Sequence, residues 1–250
     1  HYAGVACEMD SIMDTALRHG LFVVEDAAQG MMSTYAGRRL GAIGHFGAYS
    51  FHESKNYTCG EGGAILVNTD EHIGRAEIVR EKGTNRSQFF RGEVDKYSWQ
   101  DVGSSWLPSE FNAAFLFAQF EMAEKTTRDR LKTWDLYWKE LESLRGKGYV
   151  ELPGIPDSCS HNAHMFYIKA RSLEERTRLI DYLRGEGVYA VFHYVPLHDS
   201  KAGRRFGRFC GEDKFTTKES ERLLRLPMYY EMLEEDANFV CEKVKKFFAK

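Results

Sequence analysis

The sequence predicts an α/β fold built on a parallel sheet, and three observations carry that expectation. Residues 8–19 place Met9, Ile12, Met13, Ala16 and Leu17 on one face at helical spacing, and Gly20 follows, where a helix end favours a left-handed residue. Residues 21–24 then form a short unbroken apolar run, the pattern of a strand covered on both faces. A second apolar run, 46–51, ends in the polar cluster His52, Glu53, Ser54, Lys55 and Asn56. A glycine turn, Gly60-Glu61-Gly62-Gly63, leads into a third run at 64–67. Open α/β sheets gather their ligands at the carboxyl ends of the strands. The first run is followed there by Glu25 and Asp26, and the second by Lys55.

Composition narrows the functional classes. The chain has 250 residues, 43% hydrophobic and 28% charged, which is ordinary for a soluble globular protein of one large or two smaller domains. A net charge of −3 supplies no overall positive field for nucleic acid, and no apolar run is long enough to span a membrane. The five cysteines are scattered, with no CxxC pair, which fits reduced thiols in a cytoplasmic protein. The chain opens on His1-Tyr2-Ala3-Gly4 with no methionine and reads as a fragment.

The remaining elements follow in order. Residues 31–45 read as irregular. Residues 70–81 pattern as an exposed helix with Asp70 as its N-cap. Residues 82–106 show no period but mix Lys82, Arg86 and Arg91 with Phe89, Phe90, Tyr97 and Trp99, as an ordered functional loop does. A long helical pattern, broken once, runs from 109 to 144. Phe111, Ala114, Phe115, Ala118 and Met122 form its first apolar stripe, and Trp134, Tyr137, Trp138 and Leu141 the second. Strands are expected at 165–168 and 189–195, and helices at 173–185, 215–226 and 233–248. The expected division is a large α/β domain at 1–120 and a small α+β domain at 121–250.

Asp26 and Lys55 thus fall just past the ends of two neighbouring strands. Taken alone, Lys55 reads first as a solvated loop lysine. Paired with Asp26, it offers what pyridoxal 5'-phosphate (PLP) requires: an amine that forms a Schiff base, and a carboxylate that keeps the pyridine nitrogen protonated. Ser50 adds a hydroxyl for the cofactor phosphate. His161 and His164 lack a cysteine or acidic partner that would complete a metal site, so no metal is expected.

The segments VEDAAQ (24–29), GHFGAYSFHESKN (44–56) and GEGG (60–63) resemble the DegT/DnrJ/EryC1/StrS sugar aminotransferases. So do the HYAG opening, GSSW (103–106), VFHYVPLH (191–198) and RLPMYYEM (225–232), so the resemblance runs along essentially the whole chain. It implies PLP-dependent transferase fold type I, similar to aspartate aminotransferase, with the N-terminal part of the large domain missing. That absent part would supply glycine-rich phosphate contacts, a ring-stacking aromatic and further strands, so residues 1–250 alone are expected to bind PLP poorly. The resemblance implies Lys55 as the Schiff-base lysine and proton shuttle, Asp26 at the pyridine nitrogen, Gln29 near the ring or its phenolic oxygen, and Ser50 at the phosphate. Many relatives carry an Asn near position 105 that reaches the neighbouring subunit's cofactor; Ser105 stands here, and Leu107 replaces a frequent Arg. A homodimer with shared active sites is therefore expected.

Within the family, REKGTNRSQFFRGEVDKYSW (80–99), NAHMFYIK (162–169) and TTKESERLLRLP (216–227) resemble the branch that makes dTDP-4-amino-4,6-dideoxygalactose for enterobacterial common antigen. This implies L-glutamate as donor and dTDP-4-keto-6-deoxyglucose as acceptor. Arg86 and Arg91 are candidates for the nucleotide diphosphate, because guanidinium matches phosphate oxygens. His193 and Tyr194 lie in a loop that resembles one closing over substrate. The alternatives are the same chemistry on another nucleotide-linked keto sugar, or a non-catalytic PLP-binding regulator. A PLP-dependent dehydratase would carry histidine in place of Lys55.

Overall fold

The computed structural model describes residues 1–249. They form two compact units: His1–Lys125 with Pro156–His164, and Thr126–Ile155 with the residues from Met165 onward. The first unit thus runs to Lys125, past the expected division at 120/121, and also takes in a later segment. Residues 156–164 belong to the first unit, because β6 within them pairs with a strand of that unit.

The first unit runs α1 (Met9–His19), β1 (Val24–Asp26), β2 (Thr34–Tyr35), β3 (Arg38–Arg39), β4 (Phe46–Ser50), β5 (Gly63–Val67), α2 (Ile73–Arg80), α3 (Arg86–Phe90), α4 (Glu110–Glu121), the start of α5 (Ala123–Gly146), and β6 (Cys159–Ser160). Gly20 ends α1 at φ 61°, donating to the carbonyls of Ala16 and Leu17. β1 pairs parallel to β4, with Asp26 opposite Ala48, and β4 pairs antiparallel to β5. A second small sheet has the order β3-β2-β6. Gly47 has a physical reason to be glycine: a Cβ there would lie 2.1 Å from the Gly41 carbonyl oxygen.

One face of the β1-β4-β5 sheet packs on a cluster of Met9, Ala27, Tyr35 and Leu40, joined by Met13, Val23, Ile43 and Tyr49. The expected strand at 21–24, covered on both faces, is corrected. β1 starts only at Val24, which is 67% exposed. It is an edge strand paired to β4 alone, and its register puts Val24 with Ala48 and Ile65 on the face away from the cluster.

Three further expectations shift. The turn before α2 is a 3₁₀ turn, Asp70–His72, so Asp70 lies inside it and Thr69 holds the capping position. The 82–106 segment contains α3 and is tied by the bridges Thr84↔Trp99 and Glu81↔Ser105. α4 is capped by Ser109, whose hydroxyl accepts from the Asn112 amide at 3.2 Å, and the helical pattern breaks at Met122 as read. Its apolar stripe is not core, however. Phe111 is 89% exposed, because α4 is apolar around most of its circumference and no described element covers that stripe.

The second unit continues α5 and adds β7 (Phe166–Lys169), α6 (Leu173–Gly185), β8 (Val191–Phe192), α7 (Lys201–Phe206), α8 (Thr216–Arg222), β9 (Leu223–Leu226) and α9 (Glu234–Phe248). Its sheet is antiparallel in the order β7-β9-β8. Phe166, Ile168, Leu224 and Leu226 form the inner face and are buried, together with Tyr137 and Leu141 of α5, Leu179 and Leu183 of α6, and Val240 and Val244 of α9. Tyr137 donates to the Pro227 carbonyl at 2.6 Å. Ser172 caps α6, accepting from the Glu175 amide. The helix expected over 215–226 stops at Arg222. Leu223, Leu224 and Leu226 instead fill the central strand, where both edges are paired. Among the described residues no helix is long and apolar enough to cross a membrane.

Candidate functional site

The parallel pairing of β1 and β4 brings two strand ends together. At the end of β1 the Asp26 side chain is exposed, and its Oδ1 accepts from the Ala28 amide at 3.1 Å, which starts the turn 27–30. The turn closes with Gly30 N donating to the Ala27 carbonyl at 2.8 Å, and Ala27 N donates across to Ala48. Glu25, one residue earlier, points to the opposite, buried face. Its Oε1 accepts from the amides of Ile43 and Gly44, both at 2.6 Å, and its Oε2 from Gly41 N at 2.8 Å and from the His1 ring, also at 2.8 Å. A carboxylate surrounded by backbone donors fixes the 41–44 loop that delivers β4.

At the end of β4, Ser50 and Lys55 are half-buried. The loop between β4 and β5 is closed by Phe51 N to Gly62 O and Glu53 N to Gly60 O, both 2.8 Å. Gly60 takes φ 82°, a conformation that favours glycine. Asn112 of α4 donates to the carbonyls of Cys59 and Glu61, and Phe120 packs edge-on to Phe51. The lysine loop is therefore held from both sides by contacts that do not involve Lys55 itself.

A small cleft in this unit is lined by Gln29, Ser50, Lys55, Asn56, Asn162 and His164. Three predicted residues meet there: Gln29, Ser50 and Lys55. Asn56 and the 156–164 segment connect its two rims. Asn56 Nδ2 donates to the Asn162 carbonyl at 2.9 Å, and Asn56 Oδ1 lies 3.1 Å from His164 Nδ1. Asn162 Nδ2 donates to the carbonyls of Gln29 and Met31, both at 2.8 Å, so the turn after Asp26 is tied to the lysine loop. Gln29 spends its side-chain oxygen on the Ala3 amide at 2.6 Å. Burial pushes the His161 ring down to about 4, leaving it neutral, and it accepts from the Ala163 amide. Asn162 was legible only as a polar residue inside the NAHMFYIK motif, and His164 only as half of a histidine pair that makes no metal site. No spacing announced that a distant segment would return to the first unit.

The other candidates lie apart from this cleft. Ser105 is exposed, with its backbone bridged to Glu81. Arg86 donates to the buried Glu81 at 2.8 Å and lies 5.0 Å over the Phe90 ring. Arg91 is gripped on three nitrogens by Glu77 and Glu93, which raises its pKa further, the Glu93 hydrogen bonds contributing most. His193 and Tyr194 belong to the second unit, where His193 is buried and Tyr194 is 61% exposed. Among the described residues no group of three His, Cys, Asp or Glu side chains could hold a metal ion.

Residues 1–245 match the DegT/DnrJ/EryC1/StrS aminotransferase family. A protein of Geobacillus stearothermophilus called pleiotropic regulatory protein is 31% identical over 99% of this chain and 64% of its own length. The GDP-perosamine synthase of Escherichia coli O157:H7 is 27% identical over 100% of this chain and 64% of its own. A crystal structure of a DegT DnrJ EryC1 StrS aminotransferase from Brucella abortus superposes with a TM-score of 0.87 at 27% identity, over 100% of this chain and 63% of that one. The chain thus spans about two thirds of the length of these relatives.

Proposed function

This chain belongs to the DegT/DnrJ/EryC1/StrS aminotransferase family, and from that membership we propose that the full-length protein is a PLP-dependent transaminase of a nucleotide-linked keto sugar. The observation that supports the reading is the parallel pairing of β1 and β4, which sets the Asp26 and Ser50 strand ends side by side, with Lys55 and Ser50 lining one cleft.

The donor set fits PLP. Asp26 Oδ2 takes no hydrogen bond among the described residues and is available to a protonated ring nitrogen. The Ser50 hydroxyl accepts one long bond, from His52 N at 3.4 Å, and its proton remains available for a phosphate oxygen. Lys55 lines the same cleft. When bound, the cofactor supplies an electron sink for the electrons released at the substrate carbon. Lys55 Nζ removes the α-proton of the amino donor and delivers it one carbon away. Asp26 holds the proton on the ring nitrogen. The Asn56, Asn162 and His164 contacts keep the lysine loop and the Gln29 turn at a fixed separation, so that the amine is oriented before substrate arrives.

The acceptor we propose is dTDP-4-keto-6-deoxyglucose, aminated to dTDP-4-amino-4,6-dideoxygalactose with L-glutamate as donor. What supports it is the resemblance over 80–99 and 216–227. The GDP-perosamine synthase relative supports the wider class of nucleotide sugars. The diphosphate contact falls on Arg86 rather than Arg91, whose guanidinium is already shared by two carboxylates. His193 and Tyr194 would close over the substrate. A cytoplasmic homodimer, with Ser105 reaching the partner's cofactor, completes the proposal. The second reading, a PLP-binding regulator without turnover, has the name of the Geobacillus relative in its favour.

One experiment separates them. The full-length protein is incubated with PLP, L-glutamate and dTDP-, UDP- and GDP-linked 4-keto-6-deoxyhexoses, and the products are identified by mass and stereochemistry. We expect an amino sugar from the dTDP substrate and one 2-oxoglutarate for each. Cofactor binding with no amino sugar from any acceptor would leave the regulator reading.

A further inference from the structure

Residues 3 and 4 press on the junction between the two rims of the cleft. The Ala3 amide donates to Gln29 Oε1 at 2.6 Å. Gly4 lies against the Asn162 carboxamide: a Cβ on Gly4 would stand 2.1 Å from Asn162 Oδ1, 2.9 Å from its Cγ and 3.2 Å from Ser33 Oγ. Gly4 also takes φ 80°, a left-handed backbone. Asn162 and Ser33 are buried, at 2% and 0% exposure.

The Asn162 carboxamide is fixed in this position. Its Nδ2 donates to the Gln29 and Met31 carbonyls, so a flip would set oxygen against oxygen, and Oδ1 stays on the Gly4 side. Oδ1 makes no hydrogen bond, and neither does Ser33 Oγ. A buried acceptor without a donor destabilises a fold. The backbone around it is strained as well. Ala3, Met32 and Ala163, each next to a residue of this junction, have φ of 57°, 70° and 49°, where a side chain is disfavoured. Strain of this kind persists only where surrounding contacts over-determine it, and it gathers at functional sites. Asn162 is where those contacts meet. Its side chain holds the turn that follows Asp26, and its backbone carbonyl holds Asn56, the residue after Lys55.

We propose that Gly4 and Asn162 form a positioning pair: the bare Cα of Gly4 seats the Asn162 carboxamide, and that seat sets the spacing of the Asp26 turn and the lysine loop on which PLP binding depends. This rests on the transaminase reading of the whole protein and names the contact that keeps its site aligned. Gly4 acts through Asn162, and Asn162 through the two segments it ties.

The test measures, for full-length variants, the PLP dissociation constant and the thermal midpoint of the cofactor-free protein. Gly37 supplies the control, because its φ is 78° and nothing lies within 4 Å of an added Cβ. Gly4→Ala and Gly37→Ala therefore carry similar backbone strain, and both lower the midpoint. Gly4→Ala also displaces Asn162 and weakens PLP at least about tenfold, whereas Gly37→Ala changes it by less than about twofold. Asn162→Ser drops both carbonyl bonds and weakens PLP to a similar degree. Because the clash needs the carboxamide, the double variant Gly4→Ala/Asn162→Ser binds PLP no worse than the weaker-binding single variant. PLP affinity falling equally in Gly4→Ala and Gly37→Ala, in step with the midpoint, would mean a merely structural role and overturns the proposal. Unchanged affinity in Asn162→Ser, or additive losses in the double variant, also overturns it. Hydrogen exchange of the cofactor-free protein reads the tie without PLP. Gly4→Ala and Asn162→Ser speed exchange together in 27–33 and 54–58, and Gly37→Ala in neither; unchanged exchange in all three overturns the pair. The expected affinities and exchange in a protein that binds PLP but makes no amino sugar keep the pair and remove the transaminase reading.

Discussion

Glu25 and Asp26 are adjacent in sequence and do opposite work. Strand alternation sends Glu25 into the core, where four donors meet its two oxygens, and leaves Asp26 at the surface with an oxygen to spare. Glu25 is therefore a positioning residue: it holds the 41–44 loop and, through it, the strand that carries Ser50. Glu25→Ala leaves three backbone amides buried without acceptors and is expected to cost at least about 3 kcal/mol in chemical denaturation. Glu25→Gln, which swaps one acceptor oxygen for a donor, loses roughly half as much. A loss below about 1 kcal/mol for the alanine variant would contradict this role. Lys55 and Asp26 stand out in the sequence because each follows an apolar run within a recognisable motif, and Ser50 because it is the hydroxyl inside one. Glu25 does not, because a buried carboxylate looks no different in sequence from an exposed one.

At the level of elements, α1, α6 and α9 were legible within a residue or two, because each pairs a helical apolar period with a clear start or stop. β9 was not. Leu223, Leu224 and Leu226 continue the spacing of α8, and only pairing with β7 and β8 decides for a strand. The close approach of β4 to the 41–44 loop is an element-level feature that positions the strand carrying Ser50, and Gly47 tests it. An added Cβ would meet the Gly41 carbonyl carbon at 2.6 Å as well as its oxygen, and backbone cannot yield as a flexible side chain can. Gly47→Ala is expected to destabilise the protein by about 2–3 kcal/mol, read from the unfolding midpoint. Gly74→Ala, where nothing lies within 4 Å, is the matched control and should be neutral or slightly stabilising. Equal behaviour of the two variants would show that the close approach of β4 to the 41–44 loop is not as described.

For the whole molecule, the α/β character of the first unit and the α+β character of the second follow from the order of apolar runs. The return of 156–164 to the first unit does not, since it depends on contacts between residues far apart in sequence such as Asn56 and Asn162. Lys55 is proposed as the amine with which the cofactor aldehyde reacts. The most direct measurement is to incubate the full-length protein with PLP, reduce it with borohydride, digest it, and locate the pyridoxyl group by mass spectrometry. The proposed role of Lys55 predicts a single modified peptide, with the pyridoxyl group on Lys55 and none in a Lys55→Ala variant. A pyridoxyl group on another lysine, or no modified peptide from the wild-type protein, would contradict it.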